Sequence, residues 1–324
     1  MWNPSLSEAG RTPPSVDQTA AFNGDGEHPS VVLRDVASRP RPDAHIITFA
    51  NEKGGVGKST LAFHTAIALA DAGQKVAIID LDRRQRSLDN ALTNREGTAR
   101  NLKVRLPTPA HCVLEKPNGA QLSQEMARIG QGCNFILIDA PGHDSPVFRR
   151  AIAMADTLVT PVNSSFVDLE MLGRHDPVTM RLRAPGQFGA MVEQLRAERE
   201  RMGRGTIDWI VARNRVRNCE ARNSTRIDRA LAGLAERFDF RLADGLSERV
   251  AYRELFLFGL THLDIHRIPR LAHKQYRVGN EVQRLMEAMR LNFERCDWVP
   301  PREAKVPVSA KVTRAYDEII QSYA

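Results

Sequence analysis

Short apolar runs and helical-period stretches take turns along most of this chain. Ile46–Ala50, Lys75–Asp80, Asn134–Asp139, Thr157–Val162 and Thr206–Asn214 are apolar or alternating runs of strand length. Between them lie stretches with helical spacing. The first runs from Lys58 to Ala72, with Leu61, Thr65, Ala68 and Leu69 on one side and Gly73 as a C-cap. Further helices are predicted over Ser87–Asn94, Leu122–Ile129, Val147–Ala155, Phe188–Arg201, Ser224–Arg237 and Leu271–Phe293, with a loop around Pro107 and Pro109. Residues 166–186 read as irregular, and no internal repeat is visible. This βα alternation predicts an α/β fold with a Rossmann-like, doubly wound, mostly parallel sheet covered on both faces.

The ends do not follow the pattern. Residues 1–43 are rich in Pro, Ser, Gly and Asp with little periodicity and are expected to be a disordered tail, although Val31, Val32 and Leu33 offer a local docking point. Residues 44–299 form the expected domain, and residues 300–324 a C-terminal extension. The extension places Val312, Tyr316, Ile319, Ile320 and Tyr323 at helical spacing, but Asp317 and Glu318 suit a membrane surface poorly. A helix packing on protein is expected there, and no membrane partner.

Composition narrows the class. Of 324 residues, 42% are apolar and 26% charged, enough for a core of ordinary size. No apolar run is long enough for a transmembrane helix, and the first residues do not read as a secretory signal. Cys112, Cys133, Cys219 and Cys296 form no metal-binding spacing, so a cytoplasmic location is expected. Net charge is +7, and it is uneven: Arg174 to Arg241 contains fifteen arginines, no lysine and nine acids.

The candidate chemistry sits at ITFANEKGGVGKST, where a strand passes through Gly54, Gly55, Val56 and Gly57 into a helix that starts at Lys58. Glycines let successive backbone N–H groups turn toward one anion, and the helix adds its positive end. Lys58 reaches the β- and γ-phosphates of a bound nucleotide, Ser59 supplies a Mg²⁺ position, and Thr60 follows in the first turn. Glu52 occupies the place of the pattern's first glycine, and Lys53 adds a second lysine. FILID followed by APG has the form of a Walker B strand. There Asp139 would hold Mg²⁺ through water, and Gly142 would let the next loop sense the γ-phosphate. Asp80 and Asp82 end the second strand two residues apart, pointing the same way beside the phosphates. One of them, Asp80 more readily than Asp82, serves equally well as a cap for the next helix.

With its early lysine, this loop resembles the deviant phosphate loop of the ParA/MinD class of P-loop ATPases. That resemblance implies that Lys53 reaches across a dimer interface to the partner's nucleotide, that Asp82 positions the attacking water, and that Asp80 supports Lys58 or the metal shell. It also implies that Asn214 contacts the adenine edge, a position where asparagine is otherwise a common turn residue. NEKGGVGKST, VAIIDLDRRQRS, ILIDAPG, TPVNSSFVDLEMLG, WIVARNR, EARN and RLADGLSERVAYRELFLFGLTHLD together look like the MipZ family of division-site positioning ATPases. These blocks run from residue 46 to about 265 and leave both ends outside. The resemblance implies ATP and ADP as ligands, Mg²⁺, an ATP-bound homodimer that binds DNA and inhibits FtsZ, and monomers recruited by ParB. It further implies a nucleoid-associated gradient toward the poles.

Arg213, Arg215, Arg217, Arg222, Arg226 and Arg229 are the candidate DNA contacts, and Arg222, Arg226 and Arg229 share a helical face if the helix starts early enough. Phosphate contacts need only charge and reach. Glu220 and Asp228 are interspersed, so a solvated, ion-paired face fits the charge pattern as well. The expected function is an ATP-dependent monomer–dimer switch with slow hydrolysis. The alternatives are a ParA-type partitioning ATPase for chromosome, plasmid or cargo, or a P-loop kinase or ligase acting on a small molecule.

Overall fold

The computed structural model describes residues 22–23, 26–176, 178–215, 221–247, 250–268 and 281–291. In chain order, the N-terminal part holds β1 (Phe22–Asn23), β2 (Gly26–Glu27) and α1 (Pro29–Ala37). The central part follows with β3 (His45–Phe49), α2 (Lys58–Asp71), β4 (Val76–Asp80), α3 (Ser87–Leu102), β5 (Ala110–Val113), α4 (Gly119–Ile129), β6 (Phe135–Asp139), α5 (Pro146–Met154) and β7 (Thr157–Asn163). Then come α6 (Phe166–Leu169), the hairpin strands β8 (Gly173–His175) and β9 (Leu182–Pro185), α7 (Gln187–Arg201), β10 (Asp208–Asn214), α8 (Ala221–Phe238), β11 (Arg241–Asp244), α9 (Val250–Leu257), a 3₁₀ turn at His262–Arg267 and α10 (Glu281–Ala288).

Seven strands form one sheet in the order β11-β10-β7-β3-β6-β4-β5, and every pairing within it is parallel. Strand periodicity explains its two covered faces. Along β6, Phe135 and Leu137 pack with α2, α3, α9 and α10, while Ile136 and Ile138 pack with α4 and α5. Farther along that second face, Trp209 lies among Phe148, Phe188, Phe238 and Phe240 and donates to the Thr160 hydroxyl at 3.0 Å. After β3 the chain moves out to β4 and β5, returns through β6, and crosses to the other side of β3 at β7. The carboxyl ends of β3, β4 and β6 therefore open on one crevice.

The expected βα order stands, with several differences. The α3 helix runs to Leu102 rather than Asn94, because Leu88, Ala91, Leu92, Arg95, Thr98 and Leu102 keep one face buried past the polar residues between them. The edge strands β5 and β11, helix α9 and the β8–β9 hairpin are additional elements. They carry only three to eight residues each, too few for a periodic signal. Of the helix expected over Leu271–Phe293, Glu281–Ala288 is helical, and residues 269–280 and 292–293 lie outside the described residues. So do the whole 300–324 extension and residues 1–21. Among the described residues, no helix is long and apolar enough to cross a membrane.

The tail reading needs correction over residues 29–37. Pro29 starts a helix there, and the His28 ring accepts from Ser30 N–H at 3.3 Å as its cap. Val32 and Leu33 are fully buried in the cluster that holds Phe148, Phe188 and Leu195, with α5 and α7 as neighbours. Composition suggested disorder because the flanking Pro, Ser and Gly outweigh one short apolar cluster, and a groove on another part of the chain supplies the burial. Leu33→Ala is therefore expected to cost about 2–5 kcal/mol, the usual loss for a leucine cut back in a packed core. Thermal or denaturant unfolding checks this; an unchanged midpoint would return the segment to the status of a loose tail.

Candidate nucleotide site

Local geometry at the β3–α2 turn follows from its glycines. Gly55 and Gly57 sit at φ +76° and +93°, and Gly57 caps α2, so the loop's backbone curls ahead of a helix N-terminus. Two asparagines hold the turn from either side. Asn51 donates to the Pro161 carbonyl at 2.8 Å and accepts from Lys53 N–H at 2.9 Å. Asn214, at the end of β10, donates to the Val56 carbonyl at 2.7 Å and accepts from Leu246 N–H at 2.9 Å. A side chain at Gly57 would run into the Asn214 amide. Asn214 is thus brought to the loop, but 2% exposed and with both ends of its amide engaged by the backbone. Its observed work is to brace the loop.

The two lysines occupy different settings. Lys58 is buried and donates to the Lys53 carbonyl at 3.0 Å. Burial lowers its pKa, and the carboxylates of Asp139 and Asp82 oppose that shift. Lys53 points the other way, and its ammonium is paired with Asp168, 3% exposed at the start of α6. Nothing in the spacing singled out Asp168 beyond its place inside the block TPVNSSFVDLEMLG. Ser59 and Thr60 stand partly exposed in the first turn of α2.

Three carboxylates converge on this edge, with different fates. Asp139, 2% exposed, takes a hydrogen bond from the Ser59 hydroxyl, while its Oδ1 has no protein partner. Burial, together with the charge of Asp80, pushes its pKa up to about 8. Asp80 was expected to support Lys58 or the metal shell. Instead its two oxygens accept from the backbone N–H groups of Asp82 (2.9 Å), Leu88 (3.1 Å) and Asp89 (3.2 Å), which makes it a cap for α3. Burial raises its pKa to about 6 against those three bonds. Asp82 is less buried, and its Oδ1 accepts from Arg84 and Gln85 N–H. Gly142, in the loop after β6, lies close above the turn: a Cβ there would stand 3.3 Å from Gly54 Cα and 3.4 Å from Lys58 Nζ.

A buried carboxylate oxygen without a donor calls for a cation. Asp139 and the neighbouring Ser59 hydroxyl fit a Mg²⁺ shell whose other positions are phosphate oxygens and water. Such a shell needs no all-protein cage, and among the described residues no group of three or more His, Cys, Asp or Glu forms one.

A family model described as ATPase MipZ matches residues 45–293. The chain belongs to the MipZ family. The match takes in the loop, both lysines, the three aspartates and Asn214, and it starts after α1. The MipZ-family chain is also similar to the chromosome-partitioning ATPase Soj of Thermus thermophilus, 30% identical over 141 residues, 38% of this chain and 57% of that protein. It resembles the septum site-determining protein MinD of Helicobacter pylori at 31% over 153 residues (39% and 56%) and ParA of Caulobacter vibrioides at 27% over 160 residues (39% and 59%). The chain thus spans under two thirds of the length of these three relatives. Two structures of McdA from Cyanothece, without nucleotide and with ATP, share its fold: 17% identity and a TM-score of 0.52 for each, over 76% and 78% of this chain and 99% and 98% of theirs. The fold is that of the ParA/MinD class of P-loop ATPases.

The arginines of this MipZ-family chain divide. Arg213 is paired with Asp228, and Asp244 stands 3.7 Å away. Arg215, partly buried, donates its backbone N–H to Leu246 at 2.7 Å. Because α8 starts at Ala221, positions 222, 226 and 229 do share a face by register. Arg226 and Arg229 are exposed there, Arg226 with its guanidinium 5.4 Å from the centre of the Phe166 ring. The side chain of Arg222 and all of Arg217 lie outside the described residues.

Asp139 makes a pH prediction. Its carboxyl ionises near the ordinary value in the unfolded chain but holds its proton to about pH 8 in the fold. The folded state binds the extra proton between those limits, so this group's contribution to stability falls as pH rises through that window. Asp139→Asn is expected to raise the melting temperature of the nucleotide-free protein more at pH 8.5 than at pH 5. Melting curves across that range check it; a difference that is flat with pH, or larger at pH 5, would contradict it.

Proposed function

We propose that this chain is an ATP-driven monomer–dimer switch with slow Mg²⁺-dependent hydrolysis. In this reading the ATP-bound dimer binds DNA without sequence preference and inhibits FtsZ assembly, and ParB recruits the released monomers. The observation that carries the reading is the setting of Lys53. One lysine, Lys58, already serves the loop from inside; the second is partly exposed and parked on the buried carboxylate of Asp168. A cation held beside a phosphate loop without serving it suits a second copy's nucleotide, which would exchange the Asp168 carboxylate for a more highly charged acceptor.

The hydrolytic step in this reading uses Ser59, Asp139 and Asp82. Ser59 and Asp139 would hold Mg²⁺, which would supply charge stabilisation on the β- and γ-phosphates. Water attacks the γ-phosphorus, the bond to the ADP oxygen breaks, and inorganic phosphate leaves. Asp82, partly exposed just past the end of β4, would orient that water. The named roles of Soj, ParA and MinD in chromosome partitioning and septum-site determination, and the ATP complex of McdA, support a positioning role for this chain. A gradient over the nucleoid, densest toward the poles, follows from the same cycle.

Those partitioning relatives also favour a second reading, a ParA-type ATPase that positions chromosome, plasmid or cargo. Pull-down against FtsZ and ParB separates the two, since the division reading requires both to bind. A monomeric kinase or ligase would leave Lys53 without purpose. Size-exclusion with ATP, ADP and no nucleotide is expected to give a dimer with ATP alone, and Lys53→Ala is expected to abolish it. If Lys53→Ala still dimerises with ATP, the switch reading fails. DNA binding, measured in parallel at two salt concentrations, is expected to require ATP and to fall steeply with salt.

A further inference from the structure

Helix α5 carries two adjacent buried arginines, Arg149 and Arg150, 5% and 9% exposed, that the nucleotide site does not account for. Buried guanidinium groups need acceptors, and the acceptors show what each one does. Arg150 anchors the N-terminal segment. It donates to the Glu27 carboxylate through Nη1 at 2.6 Å and Nη2 at 3.0 Å, and to Asp35 on α1 through Nε. Arg149 faces two ways. Nε and Nη2 donate to the Asp144 carboxylate at 2.9 and 2.6 Å, and Nη1 donates to the Glu27 backbone carbonyl at 2.7 Å. Gly26 passes over the same guanidinium at φ +98°, where any Cβ would overlap it.

Asp144 belongs to the loop after β6, two residues beyond Gly142, which lies against Gly54 and Lys58. It also bears on the phosphate loop itself. Glu52 has an oxygen, Oε1, buried without a partner, and its carboxyl is pushed up to about 7 by burial and by Asp144, with Arg149 opposing. Backbone at Glu27, guanidinium at Arg149 and carboxylate at Asp144 thus link the N-terminal segment to the loop whose Gly142 lies against Gly54 and Lys58. The segment precedes residue 45, where the family match starts.

We propose that Gly26–Ala37 is a strap that fixes the position of loop 140–145, and that Arg149 is the positioning residue through which it acts. With the strap in place, Arg149 is covered and holds Asp144 from a buried position. With the strap displaced, Arg149 loses its Glu27 acceptor and hydrates, and its grip on Asp144 loosens. The loop then no longer holds Gly142 in place against Gly54 and Lys58, so displacement disfavours ATP. A partner that captured the strap would lower the response to ATP from a surface outside the nucleotide site. The consequence for ATP rests on the switch reading above; the grip of the strap on the loop does not.

The test is hydrogen exchange on the full, nucleotide-free chain, with ATP affinity measured alongside. Gly26→Val, which crowds Arg149 from the strap side, is expected to speed exchange of residues 140–148 by about tenfold, the scale of one bond to a charged group. Asp144→Asn, which breaks the link at the loop, is expected to do the same and to speed exchange in residues 26–37. ATP affinity is expected to fall several-fold in each variant and no further in the double variant, a non-additivity that two independent structural defects would not give. A folded Gly26→Val protein with unchanged exchange at 140–148, or additive effects in the double variant, would overturn the proposal. If Gly26→Val does not fold, Asp144→Asn decides alone, and unchanged exchange in the strap sinks it. Wild-type protein that binds no ATP would refute the switch reading while leaving the exchange result to judge the strap.

Discussion

One buried ammonium beside Asp82 and Asp139, with Asp80 bearing on Asp139, is the constraint around which the upper edge of this molecule is arranged. Lys58 cannot neutralise Asp80, Asp82 and Asp139 together, and each acid meets the shortage differently. Asp80 spends its oxygens on three backbone N–H groups, and Asp82 stays partly hydrated at a turn. Asp139 keeps its proton until a cation arrives. An edge short of positive charge in the free protein is suited to a ligand that brings Mg²⁺ with its phosphates, and poorly suited to a bare anion. The glycine turn and the helix start below it add the N–H groups that such a ligand needs.

Rigidity comes from outside the loop. Asn51 ties the turn to β7, and Asn214 ties it to β10 and to the stretch after β11. Two amides therefore tie one short loop to β7, to β10 and to the stretch after β11. The same logic recurs on the opposite face, where α1 fills the groove at α5 and α7 and its preceding residues cover Arg149. Elements far apart in sequence meet at the nucleotide edge because the crossover from β6 to β7 brings both halves of the sheet onto β3.

Much of this was legible beforehand, for an identifiable reason. Glycine spacing, a lysine at the helix start, and aspartates closing apolar runs are local features, and each fixes its chemistry within a few residues. Elements without a local signature were less visible. Edge strands β5 and β11 and the β8–β9 hairpin are too short for periodicity, and α1 is hidden in a Pro- and Ser-rich stretch. Asp80 and Asn214 were placed correctly at the edge, but their oxygens turned out to be engaged with backbone.

The amino-acid sequence by itself determined the doubly wound sheet, the phosphate loop, the pair of lysines and the acids beside them, because strand and helix periods and loop chemistry act over short distances. Only the tertiary structure decided which acid keeps an oxygen free, that Lys53 rests on Asp168, and that Arg149 joins the N-terminal segment to the loop after β6. The physical reason is that burial depends on the packed fold and that partners such as Asp168 for Lys53 and Glu27 for Arg149 lie more than a hundred residues away, which no local pattern brings together.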